Sequence, residues 1–194
     1  MAPKRKTPAA APPAKKGKAE KGPCKDVGPC KDFKPTKKDD EKFMRMAIDK
    51  MREAGVVKKT GGPFGAVIVD KSGVVLACSG NSVLKDKDPS AHAEVNAIRQ
   101  ACKKIGSHDL AGCTLYTSCE CCPMCYSTAY WAGIRKVFYA ASWSDYDDIF
   151  SDRAISEDIK KEYKDREIPL KQILHKEAAQ VWQEFRKMPD GARY

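Results

Sequence analysis

No stretch of the 194 residues approaches the roughly 18 consecutive apolar residues that a membrane-spanning helix needs, and the N-terminus lacks the apolar centre of a secretory signal. The expectation is a soluble, cytoplasmic protein with no membrane role. Histidine is scarce, at three residues, and two of them, His108 and His175, have no cysteines at ligand spacing. Acidic residues are nearly missing from positions 1–38, which hold 3 of the 26 Asp and Glu against 12 of the 36 Lys and Arg. The net charge of +10 therefore resides there, because the remainder carries 24 basic and 23 acidic side chains. A nearly neutral core gives no electrostatic footprint for nucleic acid, whereas the basic segment could grip phosphates.

Residues 1–38 are rich in Ala, Pro and Lys and contain only Val27 and Phe33 as large apolar side chains after Met1. They cannot bury enough surface to offset the entropy of ordering, and read as a disordered tail. Within it, Gly22-Pro23-Cys24-Lys25-Asp26 is echoed by Gly28-Pro29-Cys30-Lys31-Asp32, and two cysteines cannot complete a tetrahedral zinc site. Lys4-Arg5-Lys6 could serve as a nuclear address.

Residues 39–194 read as one domain. Phe43, Ala47 and Met51 recur at four-residue spacing, predicting a helix that Gly55 ends. Residues 64–70 and 74–79 form a predicted hairpin about Lys71-Ser72-Gly73. Ser90 is the expected N-cap of a helix running to about Ile105, strands are predicted at 113–117 and 136–140, and Pro123 suits the first turn of a helix through Trp131. A further strand at 168–173 and a helix at about 176–187 complete a three-layer α/β arrangement with a parallel or mixed sheet. Trp131 is assigned equally to the core or to a pocket wall.

Nine cysteines is an odd number, and five of them crowd between Cys113 and Cys125, which in an intracellular chain favours metal over disulfides. His92-Ala93-Glu94 and Cys122-Pro123-Met124-Cys125 each stand at a predicted helix start. Thiolates there are favoured by the positive helix end and by a metal. His92, Cys122 and Cys125 as ligands leave a tetrahedral Zn2+ one position for water, whose pKa falls to about 7. Glu94, two residues after the histidine, can lie beside that water without binding the metal, and so can shuttle protons during attack on an amino-bearing ring carbon. The H-x-E and C-x-x-C pair is the pattern of zinc deaminases, except that Cys121 stands where Pro usually precedes the first ligand cysteine. Cys119 and Cys122 form an alternative C-x-x-C pair, but Pro123 places Cys122 and Cys125 in the same turn. A structural zinc would need a fourth protein ligand and leave Glu94 without a task. Cys78, Cys102 and Cys113 read as core residues.

Gly61-Gly62-Pro63-Phe64-Gly65-Ala66-Val67-Ile68-Val69, Asp88-Pro89-Ser90-Ala91-His92-Ala93-Glu94, Tyr116-Thr117-Ser118-Cys119-Glu120 and Val137-Phe138-Tyr139-Ala140-Ala141 resemble the cytidine-deaminase-like superfamily, within it the bacterial-type guanine deaminases and plant guanosine deaminases. The resemblance implies a three-layer α/β/α fold with a five-stranded mixed sheet. It also implies hydrolytic deamination of guanine, or of guanosine, with Asn81 and Phe64 contacting the purine and Asp152 reading its edge. It further implies a homodimer whose swapped C-terminal segment carries Tyr194 over the partner's pocket. A tRNA adenosine deaminase and an inactive nucleic-acid-binding protein on the same fold are the competing readings.

Overall fold

The computed structural model describes residues 34–189 and residue 191. The two Gly-Pro-Cys-Lys-Asp repeats, Lys4-Arg5-Lys6 and Tyr194 lie outside the described residues.

The first helix, α1 (Lys37–Arg52), begins two residues before Asp39 because Thr36 and Asp39 form a capping box: Thr36 Oγ1 accepts from the Asp39 N–H, and Asp39 Oδ2 accepts from the Thr36 N–H. Phe43 and Ala47 are buried on its inner face. The helix does not stop at Gly55, as expected, but passes through it as a wider π turn over Glu53–Val57. Gly55 is required there by proximity, since a Cβ would stand 2.5 Å from Pro63 Cα. Glu53, held by Lys50 and Lys58, fastens the turn electrostatically.

Strands β1 (Gly65–Val69) and β2 (Val75–Gly80) form the expected antiparallel hairpin, turned by Asp70 Oδ1, which accepts from the Ser72 and Val74 N–H groups. Strand β3 (Thr114–Cys119) pairs antiparallel with β1, and β4 (Lys136–Ala141) pairs parallel with β3. The order β2-β1-β3-β4 makes a mixed sheet of four strands, not five. The missing strand is segment 168–173, which has no strand structure and leaves Ile168, Leu170 and Ile173 exposed. Alternating apolar residues suit a sheet, but a strand exists only where an edge receives its backbone, and this segment pairs with none among the described residues.

Alternation along β1 divides the core into two layers. Val67 and Val69 pack with Phe43, Ala47 and Tyr116 under α1. Ala66 and Ile68 pack with Leu115, Ala97, Ile98 and Ala129 under α3 (Ala93–Ile105) and α4 (Pro123–Trp131), with the one-turn α2 (Val83–Asp86) in the loop between β2 and α3. Tyr116 locks α1 to the sheet by donating its hydroxyl to Asp40 Oδ1 at 2.5 Å. Helices α5 (Asp152–Asp158) and α6 (His175–Lys187) follow, and neither buries a residue. No helix among the described residues is long and apolar enough to cross a membrane.

Candidate metal and catalytic site

Two chain segments turn from extended backbone into helix side by side. His92 is the N-cap of α3, at φ −66° and ψ 155°, and Cys122 is the N-cap of α4, at φ −66° and ψ 164°. Ser90 is therefore not the cap: its N–H and hydroxyl both bond to Asp88 Oδ1, a local turn that holds it outside the helix. Pro123 occupies the first position of α4, where its missing N–H costs nothing, and Cys125 follows in the same turn.

The ligand atoms of His92, Cys122 and Cys125 all lie within 4.8 Å of one another. His92 Nδ1 is 3.6 Å from Cys122 Sγ and 3.5 Å from Cys125 Sγ. With zinc–sulfur and zinc–nitrogen bonds of about 2.3 and 2.0 Å, the nitrogen–sulfur edge of a tetrahedron is about 3.5 Å, so both nitrogen–sulfur edges already stand at the spacing a tetrahedral ion imposes. Cys119 is buried at the end of β3 beside Ser118 and Cys121 packs to one side, so the C-x-x-C pair in register is Cys122 with Cys125. Of the two thiols, Cys122 is held down by hydrogen bonds from Cys125 and His92, and Cys125 is pushed up by its bond to Cys122 and by burial. His92 is in turn raised by Cys122.

Glu94 sits in the first turn of α3, 3% exposed. Its Oε1 accepts the Thr117 hydroxyl at 2.9 Å, and its Oε2 accepts from Cys125 Sγ at 3.4 Å. Burial pushes its carboxyl above the usual range. A carboxyl that is buried, oriented and raised, beside three metal-ligating atoms, has the properties of a general acid and base.

His92, Glu94 and Cys122 line a cavity of about 550 Å³. Asn81, Phe64 and Asp152 line it too, with Val83, Leu84, Pro89, Ile149 and Phe150 as apolar wall. Asn81 is buried, and its Oδ1 accepts from the Val83 N–H at 3.1 Å, which turns the amino end of the carboxamide the other way. Gly61 makes room for it, as a Cβ there would stand 1.9 Å from Oδ1. Phe64 meets Phe150 and Tyr146 edge to face, at 5.0 and 5.5 Å between ring centroids. Asp152 opens α5 and accepts the Tyr146 hydroxyl at 3.1 Å, its carboxyl raised by burial and by Cys122. Trp131 belongs neither to core nor to cavity, being 66% exposed on α4.

The sequence did not reveal Thr117, Glu120, Tyr146 or Phe150 as members of this environment. Thr117 was legible only as the last residue of a predicted strand, and Tyr146 and Phe150 lie in a loop whose course no periodicity describes.

A family model described as "Cytidine and deoxycytidylate deaminase zinc-binding region" matches residues 37–141. Guanine deaminase of Bacillus subtilis is 46% identical over 149 residues, covering 75% of this chain and 94% of that protein. A solved structure of guanine deaminase from Bacillus subtilis superposes with a TM-score of 0.75 at 42% identity, over 79% of this chain and 98% of the other. A tRNA-specific adenosine deaminase of Agrobacterium fabrum is 40% identical, but over 99 residues, covering 51% of this chain and 63% of that protein.

Proposed function

The chain belongs to the cytidine and deoxycytidylate deaminase zinc-binding family, and on that premise we propose that it hydrolyses guanine to xanthine and ammonia. The observation that carries the chemistry is the buried Glu94 carboxyl, tied to Thr117 and bonded to Cys125, which with His92 and Cys122 forms the metal group beside the cavity. What favours guanine is that likeness to a guanine deaminase extends over three-quarters of the chain, where likeness to a tRNA deaminase covers about half. The near neutrality of residues 39–194 points the same way, because a tRNA enzyme must neutralise phosphates.

His92, Cys122 and Cys125 would hold zinc, which when bound acidifies a water molecule. Glu94 takes a proton from water, delivers one to a ring nitrogen as the oxygen joins the amino-bearing carbon, and returns a proton to the departing amine. The balance is guanine and water consumed, xanthine and ammonia released. The amino group of Asn81 donates to the purine, Phe64 closes on the ring, and the Asp152 carboxylate accepts from a purine N–H. The apolar wall excludes bulk water from the reacting centre.

The reading includes a homodimer in which the C-terminal segment crosses to the partner and brings Tyr194 over its cavity. It is supported by the outer edge of β4, which no strand among the described residues pairs, by the exposed Tyr126, Tyr130 and Trp131 on α4, and by the exposed Val181 and Trp182 on α6. Apolar surface of that extent belongs against another surface.

The test is ammonia release from guanine, guanosine, adenine, cytosine and cytidine by zinc-loaded protein. Release from guanine above all others is expected. Release from guanosine alone moves the substrate to the nucleoside, and no release from any of the five refutes the enzyme.

A further inference from the structure

Asp152 is the polar group on the substrate side of the cavity that stands on the least supported element. Helix α5 is seven residues long, has no side-chain cap and buries nothing, so its backbone does not by itself fix the carboxylate. A polar group that discriminates between substrates must nevertheless be held to within about 0.5 Å. The side chain that meets it is Tyr146, only 8% exposed although it lies in the loop between β4 and α5. Its ring packs edge to face on Phe64 at 5.5 Å and on Phe150 at 6.3 Å. Its hydroxyl lies 3.1 Å from Asp152 Oδ2 and 3.3 Å from the Glu120 carbonyl, two residues before Cys122.

A phenol has one proton for these two acceptors. The Glu120 carbonyl already receives the Trp143 Nε1–H at 3.3 Å, and a bond to an ionised carboxylate is roughly twice as strong as one to a neutral oxygen. We propose that Tyr146 is the positioning residue of the substrate site: it donates to Asp152 Oδ2, leaving Oδ1 to face the purine, and moors that carboxylate to the ring cluster it forms with Phe64 and Phe150. Ring contacts with Phe64 then couple the acid that reads the purine edge to the aromatic that closes on its face. This rests on the reading of Asp152 as a purine contact.

The experiment is a double-mutant cycle on zinc-loaded enzyme, with kcat and KM for guanine measured for wild type, Tyr146→Phe, Asp152→Asn and the double variant. Tyr146→Phe removes one oxygen and should leave zinc content unchanged while raising KM about tenfold, the worth of one hydrogen bond to a charged group. In the Asp152→Asn background the same substitution should change KM less than about twofold, because residues that act through one another are not additive. Equal effects of Tyr146→Phe in both backgrounds, or an effect on zinc content, overturn the positioning role. An Asp152→Asn enzyme with wild-type KM would instead sink the purine-contact reading, which the cycle reports separately. Should Tyr146→Phe not fold, 3-fluorotyrosine at position 146 keeps the ring and strengthens the donor. A KM response with Asp152 in place and none in the Asp152→Asn background supports the proposal, and equal responses refute it.

Discussion

Gly61→Ala tests the substrate side of the site from outside the chemistry. The added Cβ would stand 1.9 Å from Asn81 Oδ1, 2.9 Å from its Cγ and 3.2 Å from the Val83 nitrogen. To reach ordinary contact at 3.4 Å the oxygen must retreat by about 1.5 Å. Asn81 is 3% exposed and cannot swing into solvent, so the retreat breaks its bond to the Val83 N–H and turns the amino group away from the cavity. A buried acceptor left without its donor costs about 1–3 kcal/mol, and a misplacement of about 1 Å costs on the order of 100-fold in rate. The expected result is a melting temperature lower by several degrees, full zinc content, and kcat/KM for guanine reduced roughly 100-fold, measured by scanning calorimetry, metal analysis and ammonia release. A folded variant with wild-type kcat/KM would show that the Asn81 carboxamide does not contact the purine.

Glu94→Gln keeps an acceptor for Thr117 but cannot carry a proton, so zinc should stay bound while ammonia release falls by at least about 100-fold; residual turnover within tenfold of wild type would refute the shuttle. Cys125→Ala removes one corner of the metal group, and purified protein should contain less than about a tenth of the wild-type zinc by atomic absorption. A strong chelator should abolish the activity of wild-type enzyme, and added zinc should restore it, which a metal-independent reaction would not show. Deleting residues 189–194 should lower turnover severalfold with zinc content intact, because the deletion removes Tyr194 and leaves α3 and α4 whole; unchanged turnover would remove the C-terminal segment from the site.

The zinc half of this site was legible because it is local. His92 and Glu94 are two residues apart, Cys122 and Cys125 three, and a helix start fixes where each pair points. Pro123 could resolve the register among Cys119, Cys121, Cys122 and Cys125 for the same reason, as its position in the first turn is a property of its own ring. Propensity alone puts the cap of α3 at Ser90, because serine is a good cap, yet Asp88 two residues before it offers a competing acceptor in a turn. Gly55 misleads for a similar reason, its role being set by Pro63 across the chain rather than by its neighbours.

The proposed purine half depends on contacts between distant positions, and there pattern reading has little to work on. Phe150 and Asp152 reach the cavity, with Tyr146 packed behind them, where Phe64, at the foot of β1, meets the loop after β4 edge to face. Nothing in residues 142–152 alone says where that loop lies. Segment 168–173 shows the same limit in the sheet. Its apolar residues announce a surface to be covered, but a hydrophobic pattern does not name the edge that will cover it, nor whether that edge belongs to the same chain. Strand β4 has an outer edge with no partner among the described residues, and Ile168, Leu170 and Ile173 are left facing solvent. In the proposed homodimer, the open edge and the unpaired segment are the surfaces that one copy would offer the other.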